Sequence, residues 1–268
     1  MKELQRYSSV GFLGEGTNDA PALKLANVGI AVKEASDIAR EAADIILLDT
    51  GLDVIAEGIT QGREVFVNMG KYIRATLVSN FGNFFAVVIS LFFIPTLPML
   101  PIQILLLNLL SDAPMTAICL DTVESQAIRR PMHFSVRSML FFCLTLGAVS
   151  TVFDFMFFWV YQTIAPSHLQ VMWFLGSVFT ELILIFSLRS SRWFFQSTKP
   201  PRALWLATTF AGGLAFLVTC VYPFDEWFSF PHPTVPLLAI TLGLALLYFV
   251  VTDVVKRAYI VLAEKKIR

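Results

Sequence analysis

The run GEGTNDAPAL, residues 14–23, gathers side chains that can do chemistry on phosphate. Glu15 and Asp19 could place two carboxylates beside a hard cation such as magnesium, which takes oxygen ligands and holds near-octahedral geometry. Gly14, Gly16 and Asn18 could present amides to a phosphoryl oxygen, since successive backbone N–H groups in a turn form anion-binding concavities. On its glycines alone the run would read as an ordinary strand-to-helix turn. A second set of polar residues lies in strongly apolar sequence. Asn80 and Asn83 are three apart on one predicted helix, a spacing that sets side chains on neighbouring positions of one face. Asn108, Ser111 and Asp112 cluster on the next helix, just before Pro114, and Glu181 falls mid-way along a later apolar run. Polar groups inside membrane spans are costly and mark ion pathways. Proline removes one backbone donor and crowds the preceding turn, so loosened carbonyls beside Asp112 are expected to add cation ligands. Oxygen ligands suit magnesium or calcium. The alternative is that these residues only bond helices together.

The elements that must position these groups fall into two textures. Residues 1–60 are mixed in polarity. Strands are expected at Val10–Leu13, Val28–Val32 and Asp44–Asp49, with helices over 20–26 and 35–43, the alternation of a parallel sheet with crossover helices. Residues 61–268 hold six apolar runs, at about 75–95, 100–120, 138–161, 170–188, 203–222 and 235–254. Each approaches the ~20 residues that cross a hydrocarbon core. The first is expected to continue a polar stalk helix from about residue 60.

Composition agrees: 56% of residues are hydrophobic and 15% charged, against about 25% charged in soluble domains. The formal net charge is zero, which excludes the basic surface of a nucleic-acid binder. The links 96–99, 162–169 and 223–234 contain no Lys or Arg, whereas the other links and the tail carry Arg129, Arg130, Arg137, Arg189, Arg192, Lys199, Arg202, Lys256, Arg257, Lys265, Lys266 and Arg268. The positive-inside rule then puts both termini in the cytoplasm. Trp159, Tyr161, Trp173, Tyr222 and Trp227 are expected to form an aromatic belt at the outer boundary. Asp154 is placed nearer that outer face or in a helix-packing or interfacial role, and Asp253 at an unremarkable cytoplasmic end. Cys119, Cys143 and Cys220 are expected to be packing residues, and His133, His168 and His232 to be solvated.

GEGTNDAPAL resembles the hinge motif of P-type cation-transporting ATPases, Gly-Asp-Gly-x-Asn-Asp-x-Pro-Ala-Leu, and the similarity continues through NVGIAV and SDIAREAADIILLD into the stalk. The resemblance implies a mainly α fold: a six-helix transmembrane bundle preceded by a partial α/β (haloacid-dehalogenase-like) phosphorylation-domain remnant. It implies ATP as the substrate and Mg2+ as the catalytic ion of the complete pump, with Glu15 and Asp19 near that magnesium. It also implies a transported divalent cation held by Asn80, Asn83, Asn108 and Asp112. Asn83, IPTLPMLPIQ and RRP make the chain most similar to the magnesium-transporting branch, with calcium as the other possibility. Two departures stand out. The family has Asp where this chain has Glu15, one methylene longer, so reduced activity is expected. No Asp-Lys-Thr-Gly-Thr occurs, so the phosphorylated Asp, the nucleotide-binding domain and the first four membrane helices are expected to lie elsewhere, and the chain to be incomplete for ATP hydrolysis alone. The expected partners are the lipid bilayer and the missing N-terminal part of the pump as a separate chain, in a cell membrane. The other functional classes are a non-enzymatic regulator of a complete pump and, with less behind it, a passive channel.

Overall fold

The computed structural model describes the backbone of residues 1–268 except 50, 52, 94–96, 130–134 and 268, and leaves the side chains of 263–267 undescribed. The readings placed on Arg130, His133, Lys265, Lys266 and Arg268, and parts of IPTLPMLPIQ and RRP, lie outside the described residues. The chain divides into two compact units, Met1–Gly62 and Arg63–Arg268.

The first unit opens with the short helix α1 (Lys2–Gln5), which sequence reading missed. It continues through β1 (Gly11–Gly14), a 3-10 turn (Thr17–Asp19), α2 (Ala20–Leu25), β2 (Val28–Ala31), α3 (Asp37–Ala42) and β3 (Ile45–Ile46). The strands form one parallel sheet in the order β1-β2-β3, with Leu13 opposite Ile30 and Ile30 opposite Ile45. Parallel neighbours need crossovers, and α2 and α3 supply them. Ser36 caps α3 by accepting a hydrogen bond from Ala39 N. The core is small: Leu23, Ala31, Ala35, Ala39 and Ala42. The third strand is shorter than the Asp44–Asp49 expected. Asp44 instead uses its carboxylate to accept from Gly29 N at 2.8 Å.

The second unit is built of helices. After α4 (Asp53–Ser90) come α5 (Pro101–Thr116), a 3-10 extension (Ala117–Leu120), α6 (Ser125–Ile128), α7 (Val136–Ile164), α8 (Leu169–Leu188), α9 (Arg202–Cys220), α10 (Phe224–Trp227) and α11 (Val235–Ile267). Among the described residues six helices are long and apolar enough to cross a membrane. Pro101 occupies the first turn of α5, where its missing N–H costs nothing. The turn is closed by Gln103 Oε1 accepting from Leu100 N. Pro114 does not break α5, although it has no N–H to donate to the Leu110 carbonyl. The helix runs on to Thr116 and then tightens into the 3-10 turn. Helix α8 is the central post: 89% of its apolar window is buried, against 28–44% for the other five. Large side chains from α7, α8, α9 and α11 fill the space around it.

Two close approaches set the register of α4 against α7. A Cβ on Gly82 would fall 2.5 Å from Ser150 Oγ, and one on Gly147 would fall 2.9 Å from Phe81 Cβ. Small residues at such crossings let helix backbones approach closely.

Several sequence readings change here. Trp159, Tyr222 and Trp227 are exposed, as a belt requires, but Tyr161 and Trp173 are buried. Tyr161 Oη donates to Leu237 O and meets Thr241 Oγ1 at 2.6 Å. Trp173 Nε1 donates to Asp154 Oδ1 at 2.8 Å, so Asp154 is buried between α7 and α8, in keeping with a helix-packing role. Asp253 is buried as well, bonded by Ser187 Oγ, Phe194 N and Lys256 Nζ. Cys143 is buried and Cys220 half-buried, but Cys119 is exposed. His232 is largely exposed and lies 3.0 Å from the buried carboxylate of Asp225.

Candidate functional sites

In the first unit the glycine-rich run leaves β1 and enters α2 through the 3-10 turn. Gly14 is buried, and a Cβ there would stand 2.8 Å from Asp19 Cβ, so the loop needs glycine to bring the Asp19 side chain over it. Asp19 Oδ2 accepts from Gly16 N at 2.9 Å and Glu15 N at 3.0 Å. These two amides hold the Asp19 carboxyl below the ordinary carboxylate range. The backbone of Glu15 is fixed by Ser36 N, which donates to Glu15 O at 2.8 Å, while the Glu15 side chain is exposed. Asn18 is exposed and Gly16 half-buried. With Oδ2 engaged by the amides, Asp19 Oδ1 and the Glu15 carboxylate remain as hard oxygen donors on one loop. That set suits magnesium, which keeps several waters and takes one or two carboxylates.

In the second unit the intramembrane candidates separate into two groups. Asn83 on α4 is half-buried and donates through Nδ2 to Glu181 Oε1 on α8. Ser79 and Ser111, both buried, adjoin the same carboxyl group. Glu181 Oε2 is buried with no hydrogen-bond partner. Three helices, α4, α5 and α8, thus bring a carboxylate, an amide and two hydroxyls to one interior point. Ser111 Oγ meanwhile donates to Leu107 O at 3.0 Å. Asn80, Asn108 and Asp112 are exposed on the surface of the same α4–α5 region. Asp112 is close enough for its charge to act on Glu181. Asn80 and Asn83 do not converge on one partner, although their spacing puts them on one side of the helix.

Sequence reading missed Ser79 and the interior groups beside it. Tyr248 on α11 is buried and lies within electrostatic reach of both Asp154 and Glu181. Ser79 directly precedes Asn80, and its burial depends on which face of α4 meets α8. No apolar-run count contains that information.

The family model for the C-terminus of cation transporting ATPases matches residues 96–258, and that for haloacid dehalogenase-like hydrolases matches residues 6–59. The magnesium-transporting ATPase, P-type 1, of Salmonella typhimurium is 39% identical over 267 residues, covering 93% of this chain and 28% of the relative. Its Escherichia coli counterpart is 37% identical over 264 residues with the same coverage. The calcium-transporting ATPase of Bacillus subtilis is 29% identical over 224 residues, covering 80% of this chain and 25% of the relative. The chain therefore spans a little over a quarter of the length of the curated magnesium-transporting relatives it matches. With six membrane-length helices and these matches, the chain is an integral membrane protein that belongs to the P-type cation-transporting ATPase family, of which it represents the C-terminal part.

Proposed function

We propose that the chain forms the C-terminal portion of an ATP-driven pump for a divalent cation, magnesium before calcium, and that it provides the ion-binding half of the transport path. The observation that carries this reading is the Asn83–Glu181 hydrogen bond across α4 and α8, with Ser79 and Ser111 alongside and one Glu181 oxygen unpartnered. An Asn side chain offers an oxygen or an amide at the same place. Turning the Asn83 amide would present its oxygen toward a cation held on Glu181, giving the oxygen-rich set that hard ions prefer. Asn80, Asn108 and Asp112 would complete the path from the exposed side of α4 and α5. The names of the magnesium-transporting relatives support magnesium as the cargo.

In the same reading residues 1–60 are the end of the phosphorylation domain and 61–268 the stalk and six transmembrane helices. Glu15 and Asp19 would hold the catalytic Mg2+, which would neutralise charge on the phosphoryl group donated by ATP. Gly14, Gly16 and Asn18 shape the loop and offer it polar contacts. The phosphorylated Asp would come from the rest of the pump, as part of one longer chain or as a separate one. The charge asymmetry of the links supports a cell-membrane protein with both termini in the cytoplasm. The regulator reading keeps the same bundle but needs no ion at Glu181.

The test is cation binding by the purified chain in detergent, followed by titration calorimetry with Mg2+ and Ca2+. A polar contact to a charged group contributes ~1.5–3 kcal/mol, so Glu181→Gln, which removes the charge, and Asn83→Ala, which removes an oxygen ligand, should each weaken binding about tenfold or more. Unchanged affinity in both variants would remove the ion site and leave the regulator.

A further inference from the structure

A cavity of about 360 Å³ opens where α4, α7 and α11 meet the segments that follow α5 and α8. Four cationic side chains line it: Lys71, Arg74, Arg189 and Lys256. Lys71 and Arg189 share a single counter-ion, Asp121, one on each carboxylate oxygen. Lys256 takes Asp253 at 2.6 Å. Glu124, also at the wall, is engaged by Arg192 at 3.3 Å. Among the described residues Arg74 has no acid, only the face of Phe142 at 5.8 Å. Among the described residues, the four cations of the wall and Arg192, which pairs with Glu124, are set against Asp121, Asp253 and Glu124, so two positive charges are left over around the cavity. Arg189 is 2% exposed, and its Nε has no hydrogen-bond partner. The rest of the Arg189 guanidinium is engaged by Asp121 and by the Thr198 and Lys199 carbonyls, so the charge that lacks an acid among the described residues is that of Arg74, and a cation held away from water is costly until an anion completes it.

The remaining wall says which anion fits. Ser135 and Ser138 supply hydroxyl donors, the hydroxyls of Thr122 and Ser190 already donate to Thr198 and Glu124, and Met139, Phe142 and Tyr259 supply an apolar side. Guanidinium groups and hydroxyls together suit the tetrahedral oxygens of a phosphate, which Arg binds through its planar fork. Basic pockets between transmembrane helices at a membrane boundary accept anionic headgroups, with the acyl chain along the apolar wall. We propose that this cavity binds a phosphate-bearing anion, seated between Arg74 and Arg189. The proposal uses none of the groups assigned to ion transport and stands whether or not Glu181 binds a cation.

The experiment uses the full chain purified in an uncharged detergent and phosphate-free buffer. The probes are inorganic phosphate, short-chain phosphatidylglycerol, and phosphatidylcholine of the same chain length, whose choline cancels the charge. Binding is read from tryptophan fluorescence and from the shift in thermal unfolding. Phosphatidylglycerol should bind saturably, and phosphatidylcholine about tenfold or more weaker. Arg74→Gln should weaken the anion about tenfold, the loss of one charge-assisted contact, with Arg74→Lys in between. Ser138→Phe fills the cavity while leaving every charge in place and should also abolish binding, so misfolding of the arginine variant cannot decide the result. Phosphatidylglycerol without inorganic phosphate identifies a membrane lipid as the source, and equal binding of both identifies a soluble phosphate compound. Either outcome supports the site. Absence of saturable binding by both anions overturns it, as does equal binding of phosphatidylcholine, or anion binding unaltered in Arg74→Gln and Ser138→Phe.

Discussion

At the scale of single residues, Asp19 decides the geometry of the glycine-rich loop. Its carboxylate, not a ligand, organises the amides of Glu15 and Gly16, and only the ionised form accepts both bonds well. Its pKa lies below the unfolded value of 3.8, so the loop gains stability from this group above the ordinary Asp range. That stability is lost as the pH falls through the lowered folded value. A carboxyl-carbon NMR titration should find an Asp19 midpoint below 3.8. A midpoint at or above that value would mean the amides do not hold the charge. Asp19→Asn should flatten the acid sensitivity of the Glu15 and Gly16 amide resonances. Glu15 is different: its side chain is exposed and unconstrained on the fold, so the extra methylene relative to Asp meets no steric obstacle in this unit. The ten-residue run was legible because its residue types are unusual together. That Asp19 turns back onto the loop was not, since the same letters would serve if the carboxylate pointed outward.

At the scale of elements, α4 and α7 are held together by absence of side chains. Gly82→Ala would drive a methyl against Ser150, where both Oγ and Cβ stand closer than 3 Å to the new carbon. Overpacking of this kind typically costs about 1–3 kcal/mol. Denaturant unfolding in mixed micelles should show that loss, and Gly82→Ala with Ser150→Gly should recover most of it. A double variant no better than the single one would place the strain elsewhere. The six long helices were readable from run length alone, because ~20 apolar residues have few soluble explanations. Their faces were not. Asn80 and Asn83 are one helical step apart in the motif, yet only Asn83 reaches α8. Likewise Trp173 reads as a belt residue from its place near a helix end, but α8 is central, so its indole is buried against Asp154. A central helix has no lipid-facing side, and centrality is a property of packing that periodicity does not encode.

At the scale of the whole helical unit, Asp121 is the tie between segments far apart in sequence. It receives Lys71 Nζ from α4 and Arg189 from the end of α8, while Asn68 Nδ2 donates to its backbone oxygen at 2.7 Å. Arg189 also bonds Thr198 O and Lys199 O, which fixes the segment leading into α9. The positive-inside reading uses Arg189 and Lys256 only as topology signals, and the fold buries both against acids. Removing one partner of a buried pair leaves an uncompensated charge, so Asp121→Ala should destabilise the unit by about 3–5 kcal/mol. Thermal unfolding of the detergent-solubilised chain checks this. A change under ~1 kcal/mol would reduce the tie to the value of a surface pair.

Asn80, Asn108 and Asp112 lie on the outside of α4 and α5. Within the part of the pump that this chain represents they form a polar edge that no described residue covers, and an Asp near mid-span facing lipid would cost roughly 2.5–3.5 kcal/mol on insertion scales. Membrane integration of this bundle by itself should therefore improve when Asp112 is replaced by Leu, so the side chains proposed to line the ion path would also set how readily the helices insert.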